Sequence, residues 1–354
     1  MSCIIVLSSI YIVKPSRFPR KYKNILDELN LPFLDCVTHG GNPDTKSISS
    51  YLHTENFDPI KDINFILYNP TFPHGKNISD IDQKFKRIPY KRRLDRRIPR
   101  RIFSETSLDL SLPIKFLIHG FTDSGHGPSV QSIKDAYLVN KNKNNIIIVD
   151  WEKGSGTSYF QYPFIANHRV PMVAERVAQF TQFIVQDFKF NVRNITIIGH
   201  SLGAQIAGLA GKEFKKRTGK IIFYIVGLDP ALPEFKNKDK EDRLNVHDAT
   251  HVQVIHTTAG CLGFDLNIGR LDFYPNYRKH THKMPGCGAD LLWHCSHSRS
   301  YQYFAESINS DIGFKAWRCD YLKALQDDYC PDKVSIKMKE GGVKNIVECG
   351  DKRG

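Results

Sequence analysis

The chain has 354 residues, 41% of them hydrophobic and 25% charged, an ordinary globular composition with enough chain to bury a full core. No apolar run approaches the roughly 18 residues that span a bilayer, which argues against a transmembrane anchor. The formal net charge is +13, and much of it comes from one segment, from Lys84 to Arg101, which holds ten Lys or Arg residues and a single acid, Asp95. Because the excess of positive charge is local, it does not indicate a nucleic-acid partner.

The N-terminal part of the chain is predicted to carry a leader and an extension. Residues 3–13 form an apolar stretch of signal-peptide length without a preceding basic segment. We therefore interpret residues 1–13 as an imperfect signal peptide, with an ordinary buried strand as the alternative. Residues 14–54 are polar and broken by prolines and glycines, which indicates an extension. The main domain is predicted over residues 55–335 and a C-terminal tail over residues 336–354.

Two predicted strands, residues 63–68 and 112–118, flank the basic segment. The simplest interpretation of residues 84–101 is a solvated loop without a binding role. The alternative is a surface that binds anionic lipid or a heparin-like polysaccharide. The second strand ends at a His-Gly turn, and glycine there allows the sharp bend that would aim the N–H of Phe121 at a reaction site.

The pattern around Ser201 predicts a nucleophile elbow. Residues 195–198 are a β-branched run suited to a buried parallel strand, residues 199–203 read Gly-His-Ser-Leu-Gly, and residues 204–212 form a predicted helix of small residues. The glycines let strand and helix pass close together on either side of a serine at a helix N-terminus. Ser201 is the predicted nucleophile, and the N–H of Leu202 is the second predicted oxyanion donor.

Strands and helices alternate through the middle of the chain. Predicted strands at residues 145–150 and 220–229, with a helix at residues 170–188, favour a mostly parallel, doubly wound α/β sheet. Asp229 ends the strand that follows the elbow helix, at the edge where such sheets place their sites. It is therefore the predicted acid of a catalytic triad, the alternative being a capping or turn aspartate.

Fourteen histidines could supply the base, so their position in the chain must decide. His297 lies after the acid, which gives the order Ser, Asp, His, and it precedes a predicted helical run. The competitors are His256, His280, His282 and His294, of which His256 equally fits a packed core histidine. Metal binding by these histidines is disfavoured because no zinc-binding motif accompanies them.

Together these residues predict acyl transfer. His297 would take the proton of Ser201, and Asp229 would hold the imidazole tautomer and stabilise the imidazolium. The amides of Phe121 and Leu202 would hold the oxyanion, and no cofactor is required.

Eight cysteines favour disulfides over metal or redox motifs. Cys287 with Cys295, and Cys319 with Cys330, each enclose a short segment near the C-terminus, as expected for a secreted, extracellular protein. The connectivity is not fixed by the spacing.

Seven sequence blocks resemble the pancreatic lipase family, and within it the phospholipase A1-like members of insects. The blocks are Phe116-Leu-Ile-His-Gly-Phe121, Val149-Asp-Trp151, Gly199-His-Ser-Leu-Gly-Ala204, Gly227-Leu-Asp-Pro-Ala231, Val254-Ile-His-Thr257, Asp272-Phe-Tyr-Pro-Asn276 and Cys295-Ser-His-Ser-Arg-Ser300. The resemblance implies an α/β-hydrolase fold in a single catalytic domain, with Ser201, Asp229 and His297 in the catalytic roles. Only 57 residues follow His297, so the C-terminal β-sandwich of vertebrate relatives is expected to be absent.

The resemblance also suggests a substrate. The family's lid is closed by a disulfide before the catalytic histidine, and here Cys287 and Cys295 enclose only seven residues. A short lid goes with phospholipid hydrolysis in the family, and Leu291, Leu292 and Trp293 are expected to enter a lipid interface; a small turn packed on the body is the alternative.

The family's calcium loop is altered in this chain. Lys240, Arg243, Asn245 and Asp248 stand at its ligand positions, and two carboxylates that a hard cation would want are replaced, so no metal is expected. The predicted function is cleavage of the sn-1 acyl ester of glycerophospholipids. Triacylglycerol or galactolipid hydrolysis and a non-enzymatic, yolk-like lipid-binding role are the alternatives.

Overall fold

The computed structural model describes residues 3–7, 57–89, 104–139, 143–276, 283–311, 313–319 and 332–338. The strands in this part are β1 (Cys3–Leu7), β2 (Asn64–Asn69), β3 (Phe72–Asn77), β4 (Ile114–Ile118), β5 (Asn145–Asp150), β6 (Ile195–His200), β7 (Ile222–Leu228), β8 (Ala249–Ile255), β9 (Leu271–Pro275), β10 (Phe314–Cys319) and β11 (Asp332–Met338). The longer helices are α1 (Ile81–Arg87), α2 (Pro128–Val139), α3 (Val170–Gln186), α4 (Leu202–Thr218) and α5 (His294–Asn309).

The strands form one sheet in the order β11-β10-β1-β9-β8-β7-β6-β4-β5-β2-β3. Neighbours from β1 to β5 in this order are parallel, and the outer strands β2, β3, β10 and β11 pair antiparallel. The central strands are apolar along their whole length because helices cover both faces; all six residues of β5 and of β6 are buried. The prediction of a mostly parallel α/β sheet is confirmed.

The winding of the sheet reverses at β4. From β4 the chain goes outward to β5 on one side and then crosses to β6 on the other, after which β7, β8 and β9 follow in order. Loops that leave the carboxyl ends of β4 and β6 therefore diverge, and a crevice opens between them. His119 and Gly120 follow β4, and Ser201 follows β6, so the switch point falls where the sequence predicts the nucleophile and one oxyanion donor.

Two apolar cores hold the layers together. On one face α3 and α4 pack together over the sheet, with buried residues that include Val177, Ile206 and Phe214. On the other face α2 packs against α5 around residues that include Ile133 and Phe304. The helix that follows Ser201, α4, and the helix that carries His297, α5, thus lie on opposite faces of the sheet. Their N-terminal ends meet at the same edge of the sheet from two sides.

Most predicted elements are present with shifted bounds, and one interpretation was wrong in part. The solvated loop assigned to residues 84–101 begins inside a helix, since α1 extends to Arg87 and buries Phe85. Residues 90–103 lie outside the described part, as does Cys330, so the pairing of Cys319 with Cys330 stays a prediction. Within the described residues, no helix is long and apolar enough to cross a membrane.

The N-terminal apolar stretch contains a strand. Residues Cys3–Leu7 pair with β9 in parallel and with β10 in antiparallel orientation. This was the alternative that the sequence left open, and the signal peptide stays a prediction.

Candidate active site

Ser201 lies on a strained turn between β6 and α4. Its φ of 57° and ψ of −119° fall outside the regions that non-glycine residues ordinarily occupy. The turn is held by its own backbone: the N–H of Ser201 donates to the carbonyl oxygen of Leu228 at 3.0 Å, and its carbonyl accepts from the N–H of Ala231 at 3.2 Å. The serine is therefore fixed by β7 and the loop after it, beside Asp229.

The two glycines of the motif are required by close packing. A Cβ on Gly199 would lie 2.0 Å from the carbonyl oxygen of Gly203, and a Cβ on Gly203 would lie 2.2 Å from that of Ile118. Both contacts are with backbone, which cannot move aside cheaply. The predicted elbow geometry is thus present, with α4 pressed against β6 and β4.

Asp229 is fully buried at the end of β7, with φ of 45°. Its Oδ1 accepts from the N–H groups of Thr257 and Thr258 at 2.7 and 3.1 Å, and its Oδ2 accepts from the Thr258 hydroxyl. Burial raises the pKa of Asp229, but hydrogen bonding and attraction to His297, with the Thr258 bonds, more than offset it and leave the pKa below its ordinary value. Asp229 is therefore a carboxylate at neutral pH.

His297 lies in the first turn of α5 and faces Asp229. Its Nδ1 is 2.6 Å from Asp229 Oδ2 across 68 residues of sequence, and the side chain is 13% exposed. With Nδ1–H donating to the carboxylate, Nε2 is left as the proton acceptor, the tautomer that a general base requires.

One pocket joins these groups. Ser201 and His297 both line it, together with Gly120 and Phe121 of the turn after β4. A Cβ on Gly120 would lie 3.0 Å from Ser201 Cβ, so the predicted oxyanion turn passes directly beside the serine. The remaining lining residues are Thr122, Asp123, Pro128, Tyr159, Tyr162, His200, Pro233, Leu262, His294, Ser298 and Tyr301.

The N–H groups of Phe121 and Leu202 flank the serine from the two diverging loops. Among the described residues neither N–H has a hydrogen-bond partner. Leu202 is the first residue of α4, where the helix leaves its leading N–H groups open. Both N–H groups are thus open among the described residues, and their role as oxyanion donors stays a prediction.

The turn that carries Phe121 is clamped by Trp151, which the sequence placed only in a resembling block. The backbone N–H of Trp151 donates to Nε2 of His119 at 3.0 Å, and its indole N–H donates to the His119 carbonyl at 2.9 Å. The rings of the two residues stack at 5.4 Å. Trp151 therefore holds the turn by its contacts with His119, and His119 itself does not line the pocket.

His200 is a pocket residue that the sequence did not single out. Its ring lies 4.5 Å from that of His297 and 5.1 Å from that of Tyr301, and the residue is buried. Burial, with repulsion from His297, lowers its pKa from 6.5 to about 3, so the ring is neutral and supports His297 by packing. Its place in Gly-His-Ser-Leu-Gly was the available signal.

His200 should make the fold sensitive to acid. Because its pKa is about 3 folded and 6.5 unfolded, its contribution is present above pH 6.5 and is lost as the pH falls towards 3. The free energy of unfolding, measured by urea titration, should fall between pH 6.5 and pH 5 in the wild type. In His200→Gln we expect this fall to be smaller by about 2 kcal/mol. The exposed His126→Gln is the matched control, and equal slopes in both variants would contradict the prediction.

The lid segment is tied to α5 at both of its ends. Cys287 and Cys295 form the predicted disulfide, with Cα atoms 5.6 Å apart. Between them, the Asp290 carboxylate accepts from the N–H groups of Cys295 and Ser296 at 3.1 and 2.8 Å and so caps the helix. Leu291 and Leu292 are 45% and 42% exposed, and Trp293 is half-buried.

The competing histidines have other positions. His256 is buried away from the pocket, with Nε2 2.9 Å from Asp272 Oδ1 and its ring stacked on Tyr274. His294 lines the pocket, and its Nε2 lies 2.8 Å from the hydroxyl of Tyr159. His280 and His282 lie outside the described residues.

The altered calcium loop is closed by a lysine. Asp248 Oδ2 accepts from Lys212 Nζ and from the N–H of Asn245, both at 2.8 Å, while the Arg243 guanidinium donates to the carbonyls of Lys238 and Leu244. The absence of a metal there stays a prediction. In the described part, the one cluster of three potential metal ligands is Cys287, Asp290 and Cys295, and its cysteines form the lid disulfide.

The parallel sheet, the strained serine turn and the facing His–Asp pair define an α/β-hydrolase. Residues 97–345 match the family model described as Lipase. The chain belongs to the Lipase family.

Relatives of known name also match the chain. The chain is 41% identical over 210 residues to "Probable phospholipase A1 magnifin" of Vespa magnifica, covering 57% of this chain and 60% of the relative. It is 36% identical over 262 residues to "Pancreatic lipase-related protein 2" of Rattus norvegicus, covering 67% and 53%. The chain thus spans about half to two thirds of the length of these relatives. The solved structure of Est1E from Butyrivibrio proteoclasticus with ferulic acid is 16% identical, with a TM-score of 0.35, covering 56% of this chain and 90% of that one.

Proposed function

We propose that the protein is a phospholipase A1, which hydrolyses the sn-1 acyl ester of glycerophospholipids with Ser201, His297 and Asp229 as its catalytic triad. The observation that carries the proposal is the His297–Asp229 hydrogen bond of 2.6 Å in the pocket that exposes Ser201. A buried carboxylate bound to the far nitrogen of an imidazole, beside a serine on a strained turn, is the arrangement that activates a hydroxyl for attack.

In the first half-reaction, Ser201 Oγ bonds to the ester carbonyl carbon while its proton moves to Nε2 of His297. Asp229 stays ionised and stabilises the imidazolium. The tetrahedral intermediate then collapses, the bond to the glycerol oxygen breaks, and that oxygen takes the proton from Nε2. The acyl group is left on Ser201 and the lysophospholipid leaves.

In the second half-reaction, water gives its proton to Nε2 and attacks the acyl-enzyme, which releases the fatty acid and returns the proton to Ser201. In both halves the negative charge develops on the carbonyl oxygen, where the open N–H groups of Phe121 and Leu202 would receive it. Donors fixed by a helix N-terminus and by the Trp151 clamp need no reorganisation during the reaction, which is where their contribution to the rate originates.

The choice of phospholipid is supported by the lid and by the relatives. Seven residues between Cys287 and Cys295, bound to α5 by Asp290, form too small a flap to cover the pocket mouth broadly. A polar headgroup beside the serine can then remain in water while Leu291, Leu292 and Trp293 contact lipid. The relative from Vespa magnifica is named "Probable phospholipase A1 magnifin". Triacylglycerol is the alternative substrate, since the rat relative is named as pancreatic lipase-related.

The substrate class is tested by comparing turnover of sn-1-labelled phosphatidylcholine and of triolein in matched mixed micelles. We expect phosphatidylcholine to be preferred and the label to appear as free fatty acid. A strong preference for triolein would contradict the argument from the lid, and label retained in the lysophospholipid would contradict the sn-1 assignment.

We further propose that the protein is extracellular and that residues 84–101 bind anionic lipid or a heparin-like polysaccharide. Support comes from the lid disulfide, which requires an oxidising compartment, and from the ten basic residues of the segment. Salt-dependent retention on heparin should weaken when the lysines and arginines of residues 91–101 are replaced by glutamine. Unchanged elution would contradict it.

A further inference from the structure

A hydrogen bond crosses the pocket from one wall to the other. The hydroxyl of Tyr159 lies 2.8 Å from Nε2 of His294, across 135 residues of sequence, and both residues line the pocket that exposes Ser201. Tyr159 belongs to a short turn after β5, whereas His294 is the first residue of α5 and adjoins the lid cysteine Cys295. The bond therefore joins the lid to the opposite wall.

Each end of this bridge is held in place by its own surroundings. The turn that begins at Tyr159 carries a capping box formed by Ser158 and Gln161, and the Tyr159 ring packs 5.6 Å from that of Phe121. His294 is followed directly by the disulfide and lies one helical turn before His297. Two fixed groups at hydrogen-bond distance set the separation of the walls that carry them.

The bridge is a bond between neutral groups at physiological pH. Burial, with repulsion from His297, lowers the pKa of His294, and burial raises the pKa of the Tyr159 hydroxyl. A phenol and a neutral imidazole nitrogen share one hydrogen at the exposed rim of the pocket. Phe121, Tyr162, Pro233 and Leu262 supply apolar surface to the same pocket.

An acyl chain bound beside Ser201 would lie on this apolar surface; a long chain would reach the bridge, and a short chain would end before it. Passage of the long chain would then require the bridge to open, which replaces its hydrogen bond with bonds to water at this exposed position and disfavours that chain by about fivefold.

Building on the proposed ester hydrolase function, we propose that the Tyr159–His294 bridge determines acyl-chain specificity by holding the lid against the opposite wall and discriminating against long chains. The two residues act on the ratio of rates for long and short chains and leave the proton transfers at Ser201 to the triad.

The test compares kcat/KM for p-nitrophenyl palmitate and p-nitrophenyl butyrate in the same mixed micelles, with active enzyme titrated by a fluorophosphonate. Tyr159→Phe removes the hydroxyl and keeps the ring, and His294→Leu removes the nitrogen and keeps comparable bulk. Each is expected to raise the palmitate-to-butyrate ratio by about fivefold, and the double variant by no more than either single one, since both lose the same bond.

Two further variants separate specificity from structural support. His294→Gln retains a polar group at the bridge and should keep the ratio near that of the wild type. Tyr274→Phe removes a hydroxyl outside the pocket, one that donates to Asn267 Oδ1 at 2.8 Å, and should leave the ratio unchanged.

An unchanged ratio in Tyr159→Phe and His294→Leu, with both rates lowered in proportion, would overturn the inference while leaving the ester hydrolase function intact. Additive effects in the double variant would also overturn it, because independent changes cannot come from one shared bond. A folded wild-type protein that hydrolyses neither ester would contradict the proposed function itself, and the inference with it.

Discussion

Replacement of Ser201 by alanine is expected to abolish ester hydrolysis and covalent labelling by a fluorophosphonate while the protein remains folded. The loss should approach a million-fold in kcat, because without the hydroxyl no acyl-enzyme can form. The fold should persist because alanine meets much the same backbone strain at φ of 57° and the elbow is held by main-chain bonds to Leu228 and Ala231.

Ser132→Ala is the matched control for this experiment. Ser132 is a serine of α2 whose hydroxyl donates to the Pro128 carbonyl at the surface, and its loss should change neither labelling nor turnover. Turnover by Ser201→Ala equal to that of the wild type would reject the triad. A folded wild-type protein that neither labels nor turns over would favour the non-enzymatic, lipid-binding alternative.

The second large effect is expected from the His297–Asp229 pair. Asp229→Asn should preserve the shape of the site and lower kcat by about 10⁴-fold, because an amide cannot hold the required tautomer or stabilise the imidazolium. His297→Ala should lower kcat by a similar or larger factor. The combined variant should be little worse than His297→Ala alone, since the two residues act as a unit.

The protein contains its own control for this pair. His256 and Asp272 form a second buried His–Asp contact, at 2.9 Å, outside the pocket. His256→Gln should lower the free energy of unfolding by a few kcal/mol, since it disrupts a buried hydrogen-bonded pair, while the folded fraction keeps its kcat. Loss of chemistry in His256→Gln with full activity in His297→Ala would exchange the roles assigned to the two histidines.

The residues around Ser201 were predictable because local sequence determines them. Strand, glycines and small-residue helix lie within one segment, and the clash of a Cβ on Gly199 with Gly203 shows why no other residue fits there. Asp229 followed from a rule of α/β sheets about strand ends. His297 had to be selected among fourteen histidines by chain order and resemblance, and the contact with Asp229 across 68 residues is visible only in the fold.

Other features were out of reach because they depend on packing between distant segments. His200 is one residue from the nucleophile, yet its neutrality comes from burial against His297 and Tyr301. The Tyr159–His294 bridge joins two loops with no common motif. Helix α1 was missed because its charged residues dominate the pattern, although Ile81 and Phe85 are spaced for one buried face.

The positive φ angles of Ser201 and Asp229 have an evolutionary consequence. Two non-glycine residues in the left-handed half of the Ramachandran plot cost of order 1–3 kcal/mol each, a large share of the net stability of a typical domain. A gene duplicate released from selection for turnover would gain thermal robustness by accepting glycine at position 201, whereas glycine at position 229 would leave the buried N–H groups of Thr257 and Thr258 without their acceptor. Proteins descended from this chain that have lost catalytic activity should therefore have higher melting temperatures than those that retain it.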